Sequence, residues 1–237
     1  MYKKIAGFVF MSMFFTAFTQ AADESVEIAN FAFDPQVVMV NVGDKIKWTN
    51  LDTFAFHTST STAIPPIWDS GLLGAMASFE FQFLLPPGTY EYECTVHPFM
   101  LPGKVIVEGC FLDRTPDFIP AQTGGIVDFK LDAGPGNAGR NYILLGSVTG
   151  TVPGFPLPGG LATLPINWDP FTDFVLVFIN TPVFFNFLGQ LDANGQALAI
   201  LNAPPLPANA IGVIMDFAYA LNNPWDCASN PVTVRII

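Results

Sequence analysis

The chain has 237 residues with 9 basic and 20 acidic side chains, a net charge of −11 at neutral pH. So acidic a surface disfavours nucleic acid and anionic lipid as partners. A composition 51% hydrophobic and only 12% charged excludes a disordered polar chain, and 21 Pro and 20 Gly breaking up many short apolar runs read as all-β sandwiches.

Residues 1–22 read as a cleaved secretory signal peptide. Lys3 and Lys4 precede an apolar run from Ile5 to Phe18, and the small residues Ala21 and Ala22 precede the first acid, Asp23. The run is shorter than the roughly 18–20 residues a spanning helix needs. No later segment reads as a membrane span. Cleavage after Ala22 leaves 7 basic and 20 acidic residues, a net charge of −13. The mature chain is therefore expected to be exported, periplasmic or extracellular, and to steer in any basic partner.

Residues 23–109 read as one β-sandwich. Val37 to Val42 is strand-like, and Val42-Gly43-Asp44 turns it into Lys45-Ile46-Lys47-Trp48-Thr49. There Ile46 and Trp48 share the inner face. Ser78 to Leu85 alternates again, with Phe79, Phe81 and Phe83 on one side. After the Pro86-Pro87-Gly88 turn, Thr89 to Cys94 alternates cleanly, with Tyr90, Tyr92 and Cys94 inward. That strand delivers the Cys94 sulfur into the interior at its end. Val105 and Val107 close the unit.

The next seven residues past Glu93 carry the chemistry. Cys94-Thr95-Val96-His97-Pro98-Phe99-Met100 places a thiol, an imidazole and a thioether at Cys-x-x-His-x-x-Met spacing. The chain holds two histidines, and the other, His57, comes from a separate loop 37 residues before Cys94. Two imidazoles and a thiolate in a plane, with a weak axial thioether, are the donors of a blue-copper electron-transfer centre. Cys94 must be deprotonated to bind, and Met100 would favour Cu(I).

These residues resemble the cupredoxin family, most of all its amicyanin, pseudoazurin and plastocyanin branch. The resemblance spans residues 25–109. It rests on Asn50-Leu51-Asp52, Asp69-Ser70-Gly71, Pro87-Gly88-Thr89-Tyr90 and the Cys94–Met100 run. It implies a Greek-key β-sandwich, one type 1 copper held by His57, Cys94, His97 and Met100, and one-electron transfer with a redox protein partner. Asn50, Thr58 and Pro98 would stand around the ligands, with the Thr58 N–H donating to the Cys94 sulfur. In that family the later histidine emerges through an apolar patch. Here the patch would comprise Phe54, Phe56, Pro98, Phe99 and Leu101, although Phe54 and Phe56 read equally as a cover over the metal. The chain departs from the family at Phe56, where proline is usual, at Val96, and in the longer Leu101-Pro102-Gly103 link.

Residues 110–125 read as a linker or first edge, and 126–237 as a second β-sandwich. Strands are expected at Ile126–Leu131, Tyr142–Val148, Phe174–Ile179, Ala197–Leu201, Gly212–Tyr219 and Val232–Ile236. Asp192-Ala193-Asn194-Gly195 contains the Asn-Gly pair favoured in hairpins. Gly134 to Gly139 lacks the Lys-Ser/Thr of a phosphate loop and reads as a wide turn. Asp192 to Asn194 lacks the glutamate of a calcium loop. Segment Asn137–Ser147 loosely resembles a β-sandwich module of exported bacterial proteins. Cys110 and Cys227 flank this unit as a disulfide or as two buried thiols. The abundant phenylalanines read as core or as an aromatic binding face.

No histidine lies in the second half, so a second catalytic copper site has no donors there. The protein is therefore read as an electron carrier and not an enzyme. Its second unit is read as a structural module or a docking module for a protein or a surface. The alternative is a non-catalytic interaction protein, or a copper-binding and delivery protein.

Overall fold

A computed structural model describes residues 23–237. The expected signal segment, 1–22, lies outside the described residues. No described helix is long and apolar enough to cross a membrane.

The first half forms β1 (Asp23–Ala29), β2 (Ala32–Asp34), β3 (Val37–Asn41), β4 (Lys45–Asn50), β5 (Thr60–Ser61), β6 (Ser78–Gln82), β7 (Gly88–Glu93) and β8 (Gly103–Glu108). They make two four-stranded sheets, ordered β2-β1-β4-β6 and β3-β8-β7-β5. The β1–β4 and β3–β8 pairs are parallel and the others antiparallel, so the chain crosses repeatedly between sheets. The alternation read from the sequence decides which side chains meet: Ile46, Trp48, Phe83, Tyr92, Val105 and Val107 are all buried between the sheets. Trp68 joins them, stacked on Trp48 at 5.8 Å.

Tyr92 lies directly across from Gly103 in the β7–β8 ladder, and its ring occupies the space a side chain at 103 would fill. A Cβ placed there would sit 2.1 Å from Tyr92 Cζ. Overpacking so close to a fully buried ring forces the strand apart. Gly103→Ala is expected to destabilise the first sandwich by about 2–3 kcal/mol. Urea unfolding followed by tryptophan fluorescence checks this; an unchanged midpoint would show that Tyr92 swings away freely.

The second half forms β9 (Phe111–Thr115), β10 (Phe118–Ile119), β11 (Gly125–Asp132), β12 (Asn141–Ser147), β13 (Phe155–Pro156), β14 (Thr163–Leu164), α1 (Pro170–Val177), β15 (Phe184–Phe185), β16 (Leu188–Gln190), β17 (Gln196–Ala203), β18 (Ile214–Leu221) and β19 (Val232–Ile236). Sheets β10-β19-β18-β12-β16 and β15-β17-β11-β9 face each other across their own core, and β13 and β14 pair separately. Phe129, Phe184, Phe187 and Phe217 fill that core, with Tyr142 and Tyr219. Phe174, Phe178 and Phe185 are exposed. The two cores share no residue. Within 110–125, β9 is the edge strand of the second sheet, paired to β11.

Two expectations are corrected. Phe174–Ile179 is not a strand: its first residues belong to α1. The aromatic and β-branched run favours a strand locally, but Asp169 overrides it. Its carboxylate accepts from the Phe171 and Thr172 N–H groups, the Thr172 hydroxyl caps the Asp169 N–H in return, and Pro170 starts the helix. Burial alone would raise the Asp169 pKa, but bonds from the Val148 and Thr172 N–H groups and the Ser147 and Thr149 hydroxyls outweigh it and hold it at about 2. The Asn-Gly turn does form at Asp192–Gly195, with Gly195 at φ +77°. It does not close a hairpin, because β16 and β17 on either side belong to different sheets.

Cys110 and Cys227 are joined by a disulfide that spans the second sandwich.

Candidate metal centre

His57, Cys94 and His97 converge at one end of the first sandwich. His57 is held by paired backbone bonds to Leu73, at 3.1 and 2.8 Å. Cys94 follows the last residue of β7, so the strand's inward phase aims its sulfur at the interior. The loop beyond it winds in two successive turns: the His97 N–H donates to the Cys94 carbonyl (3.2 Å) and the Met100 N–H to the His97 carbonyl (2.9 Å). Cys-x-x-His spacing is thus a local device, the three-residue step returning the His97 ring to the side of the Cys94 sulfur.

The donor atoms form a compact triangle. Cys94 Sγ lies 3.6 Å from His57 Nδ1 and 3.7 Å from His97 Nδ1, and the two nitrogens are 3.3 Å apart. A point about 2 Å from all three exists within that triangle, which is the length of a transition-metal bond to imidazole or thiolate. His57 and Cys94 are buried, Met100 is 6% exposed, and His97 is partly exposed.

The surroundings set the protonation the site needs. His57 Nε2 lies 2.8 Å from Asp52 Oδ2. A carboxylate only accepts, so the ring's proton sits on Nε2 and Nδ1 keeps its lone pair toward Cys94. Asp52 also accepts from the Asn30 and Phe31 N–H groups. Burial would raise its pKa, but these bonds and His57 outweigh it and hold the carboxyl below its usual range. The Thr58 N–H points at Cys94 Sγ at 3.4 Å. Asn50 touches no donor atom; its buried amide donates to the Ala55 and Leu73 carbonyls and accepts from the Asp52 N–H, bracing the His57 loop. Pro98 lies exposed beside His97.

The Phe99 ring stands 5.6 Å from the His97 ring. Phe99 and Leu101 are each 70% exposed and Phe56 59%. Phe54 is 100% exposed and covers nothing. Phe56 packs against Gly74.

Two residues at the site had no role in the sequence reading. Phe31 sets its ring edge-on to both histidines, 5.4 Å from His57 and 5.0 Å from His97. Asn30 and Phe31 form the β1–β2 turn with φ of +52° and +58°, uncommon for a phenylalanine. Asp52 holds both N–H groups, so one carboxylate fixes the turn and the His57 tautomer together. The Asn30 turn signal was readable, but its meeting with Asp52 was not.

A family model described as a cupredoxin-like domain matches residues 4–107. Amicyanin-alpha of Methylorubrum extorquens is 32% identical over 90 residues, covering 37% of this chain and 74% of that protein. The chain belongs to the cupredoxin family. Amicyanin of Paracoccus denitrificans is 34% identical over 86 residues, which cover 35% of this cupredoxin and 63% of its relative's length. A solved structure of an oxidised amicyanin variant is 29% identical, covers 36% of this chain and 82% of its own, and has a TM-score of 0.33.

Proposed function

We propose that this cupredoxin is an exported blue-copper electron carrier, with one copper held by His57, Cys94, His97 and Met100. The observation that carries the reading is the buried triangle of one sulfur and two Nδ1 atoms. Copper bound there supplies reversible one-electron chemistry. The protein's part is to keep its ligands still. Cys94, His97 and Met100 come from one loop and His57 from another, each tied by backbone bonds, so little moves when charge changes. His97 offers the route to solvent, and both histidines are engaged, leaving none for a second copper site. The disulfide supports export, because such bonds persist in oxidising compartments.

The redox partner would dock on the apolar surface of Phe54, Phe56, Pro98, Phe99 and Leu101. The second sandwich leaves that surface free. It meets the first at the far end of β7, where Gly134 packs on Pro87. The six residues of β7 separate that contact from Cys94 by about 20 Å. Between Asn141 and Trp225 the charged residues are Asp169, Asp173, Asp192 and Asp216, with no base. A surface so poor in charge supports a docking role for this module.

Loading the protein with Cu(II) should give an intense blue species that cycles reversibly against an electrode. A species that takes up one electron and then releases its copper would favour delivery over electron transfer. Phe99→Glu is expected to slow oxidation by the partner about tenfold while the copper spectrum stays unchanged, since a charge in a desolvated contact costs 1–2 kcal/mol or more. Equal rates for variant and wild type would remove Phe99 from the docking surface.

A further inference from the structure

One carboxylate gathers three N–H groups beside the metal centre. Asp52 Oδ1 accepts from the Asn30 N–H at 2.7 Å, and Oδ2 accepts from the Phe31 N–H at 3.2 Å and from the His57 Nε2–H at 2.8 Å. The two backbone donors are consecutive residues of the β1–β2 turn, both at positive φ. Such a turn points successive N–H groups the same way and forms a concavity for an anion. Asp52 is pinned from its own backbone as well: the Leu51 N–H donates to the Ile28 carbonyl at 2.8 Å, and the Asp52 N–H to the Asn50 side chain at 2.9 Å. The His57 side chain is fully buried and that of Asp52 is 17% exposed, so little water competes for these bonds.

Donor counting fixes the residue type. All three partners are N–H groups, so position 52 must present acceptors alone on both of its oxygens. An ionised carboxylate does so. An amide does not: whichever way it is turned, its NH₂ meets an N–H of the turn or of His57. A negative charge is therefore built into the contact with the histidine.

We infer that Asp52 is a positioning residue that holds the reduction potential of the copper down through His57; this rests on the blue-copper reading above. A carboxylate drawing on the Nε2 proton makes the ring a stronger donor at Nδ1. A stronger donor stabilises Cu(II) more than Cu(I). The negative charge beside the ring acts in the same direction. Asp52 thus works against Met100, whose thioether favours Cu(I). The two turn N–H groups keep the carboxylate aimed at the ring, so the effect does not depend on a side chain free to swing away.

The test is a redox titration of the copper-loaded full chain for Asp52→Asn, Asp52→Ala and Glu27→Gln. Two Asp52 variants are made so that one remains if the other does not fold, and tryptophan fluorescence shows which are folded. Glu27 is exposed on β1, three residues before Asn30, so Glu27→Gln removes a nearby charge and leaves the Asp52 contacts in place. The same proteins are loaded with zinc, which is redox-inert, and the His57 Nε2 proton is followed by nuclear magnetic resonance. Asp52→Asn and Asp52→Ala should each raise the Cu(I)/Cu(II) ratio at fixed poise about tenfold. Glu27→Gln should raise it less than about twofold, because solvent and salt screen an exposed charge. In the zinc-loaded wild type the His57 Nε2 proton should resonate far downfield and exchange slowly, and in both Asp52 variants it should move upfield and exchange faster. A wild-type ratio in a folded Asp52 variant overturns the inference. Equal shifts in the Asp52 variants and Glu27→Gln also overturn it, since Asp52 would then be one remote charge among several. A wild-type chain that forms no blue centre overturns the carrier reading and the potential-setting role with it. The zinc-loaded spectrum still decides the contact itself, and an ordinary, fast-exchanging Nε2 proton there would overturn the carboxylate's hold on His57.

Discussion

Replacing Cys94 with serine should abolish the intense visible band of the copper-loaded protein. That band requires a copper–thiolate bond. A serine hydroxyl is a hard, protonated donor at neutral pH and does not replace a thiolate for this metal. The substitution is nearly isosteric at a buried position, so the fold should survive. It leaves the His57 and His97 nitrogens in place, 3.3 Å apart, and a weak colourless site is the expected remainder. The measurement is a Cu(II) titration of both proteins followed in the visible, with circular dichroism to show that the sandwich persists. A blue band that survives in the serine variant would mean that Cys94 is not the ligand, and the carrier reading would fall.

Removing the Cys110–Cys227 bond should cost about 4–5 kcal/mol of stability, the chain-entropy value for a loop of this length. The bond joins residues 117 apart and spans nearly all of the second sandwich. Cys110 is also buried at the start of that core. Both cysteines replaced by serine should therefore lower the urea midpoint of the second sandwich, while the first sandwich, with its separate core, keeps its midpoint. Unfolding followed by far-ultraviolet circular dichroism, alongside the blue band for the first unit, separates the two. An unchanged first transition is part of the expectation; an unchanged second transition would refute a stabilising role for the bond.

The Cys94–Met100 run was legible because its geometry is local. A turn of three residues brings the Cys94 sulfur and the His97 ring together, and the alternation from Thr89 onward already orients the sulfur. His57 was readable for another reason: the chain has one histidine besides His97. The inner faces of β4, β6 and β7 followed from period-two patterning, which the pleat imposes on any half-buried strand. The helix α1 was missed because its apolar aromatic run matches a strand, and the residues that decide it, Asp169 and Thr172, act through capping bonds. Asp52 was noticed only as part of a resemblance. Its task depends on a turn 21 residues upstream, and no local pattern announces that meeting.

What the sequence by itself determined is the local spacing of Cys94 and His97 and the strand phases, because each follows from neighbours within a few residues. The tertiary structure alone decided which carboxylate faces which histidine and that Phe31 lies against both rings. Those contacts join segments from separate strands and loops. They exist only once sheet register has fixed which residues face each other, and a shift of one residue would turn every side chain of a strand to the opposite face.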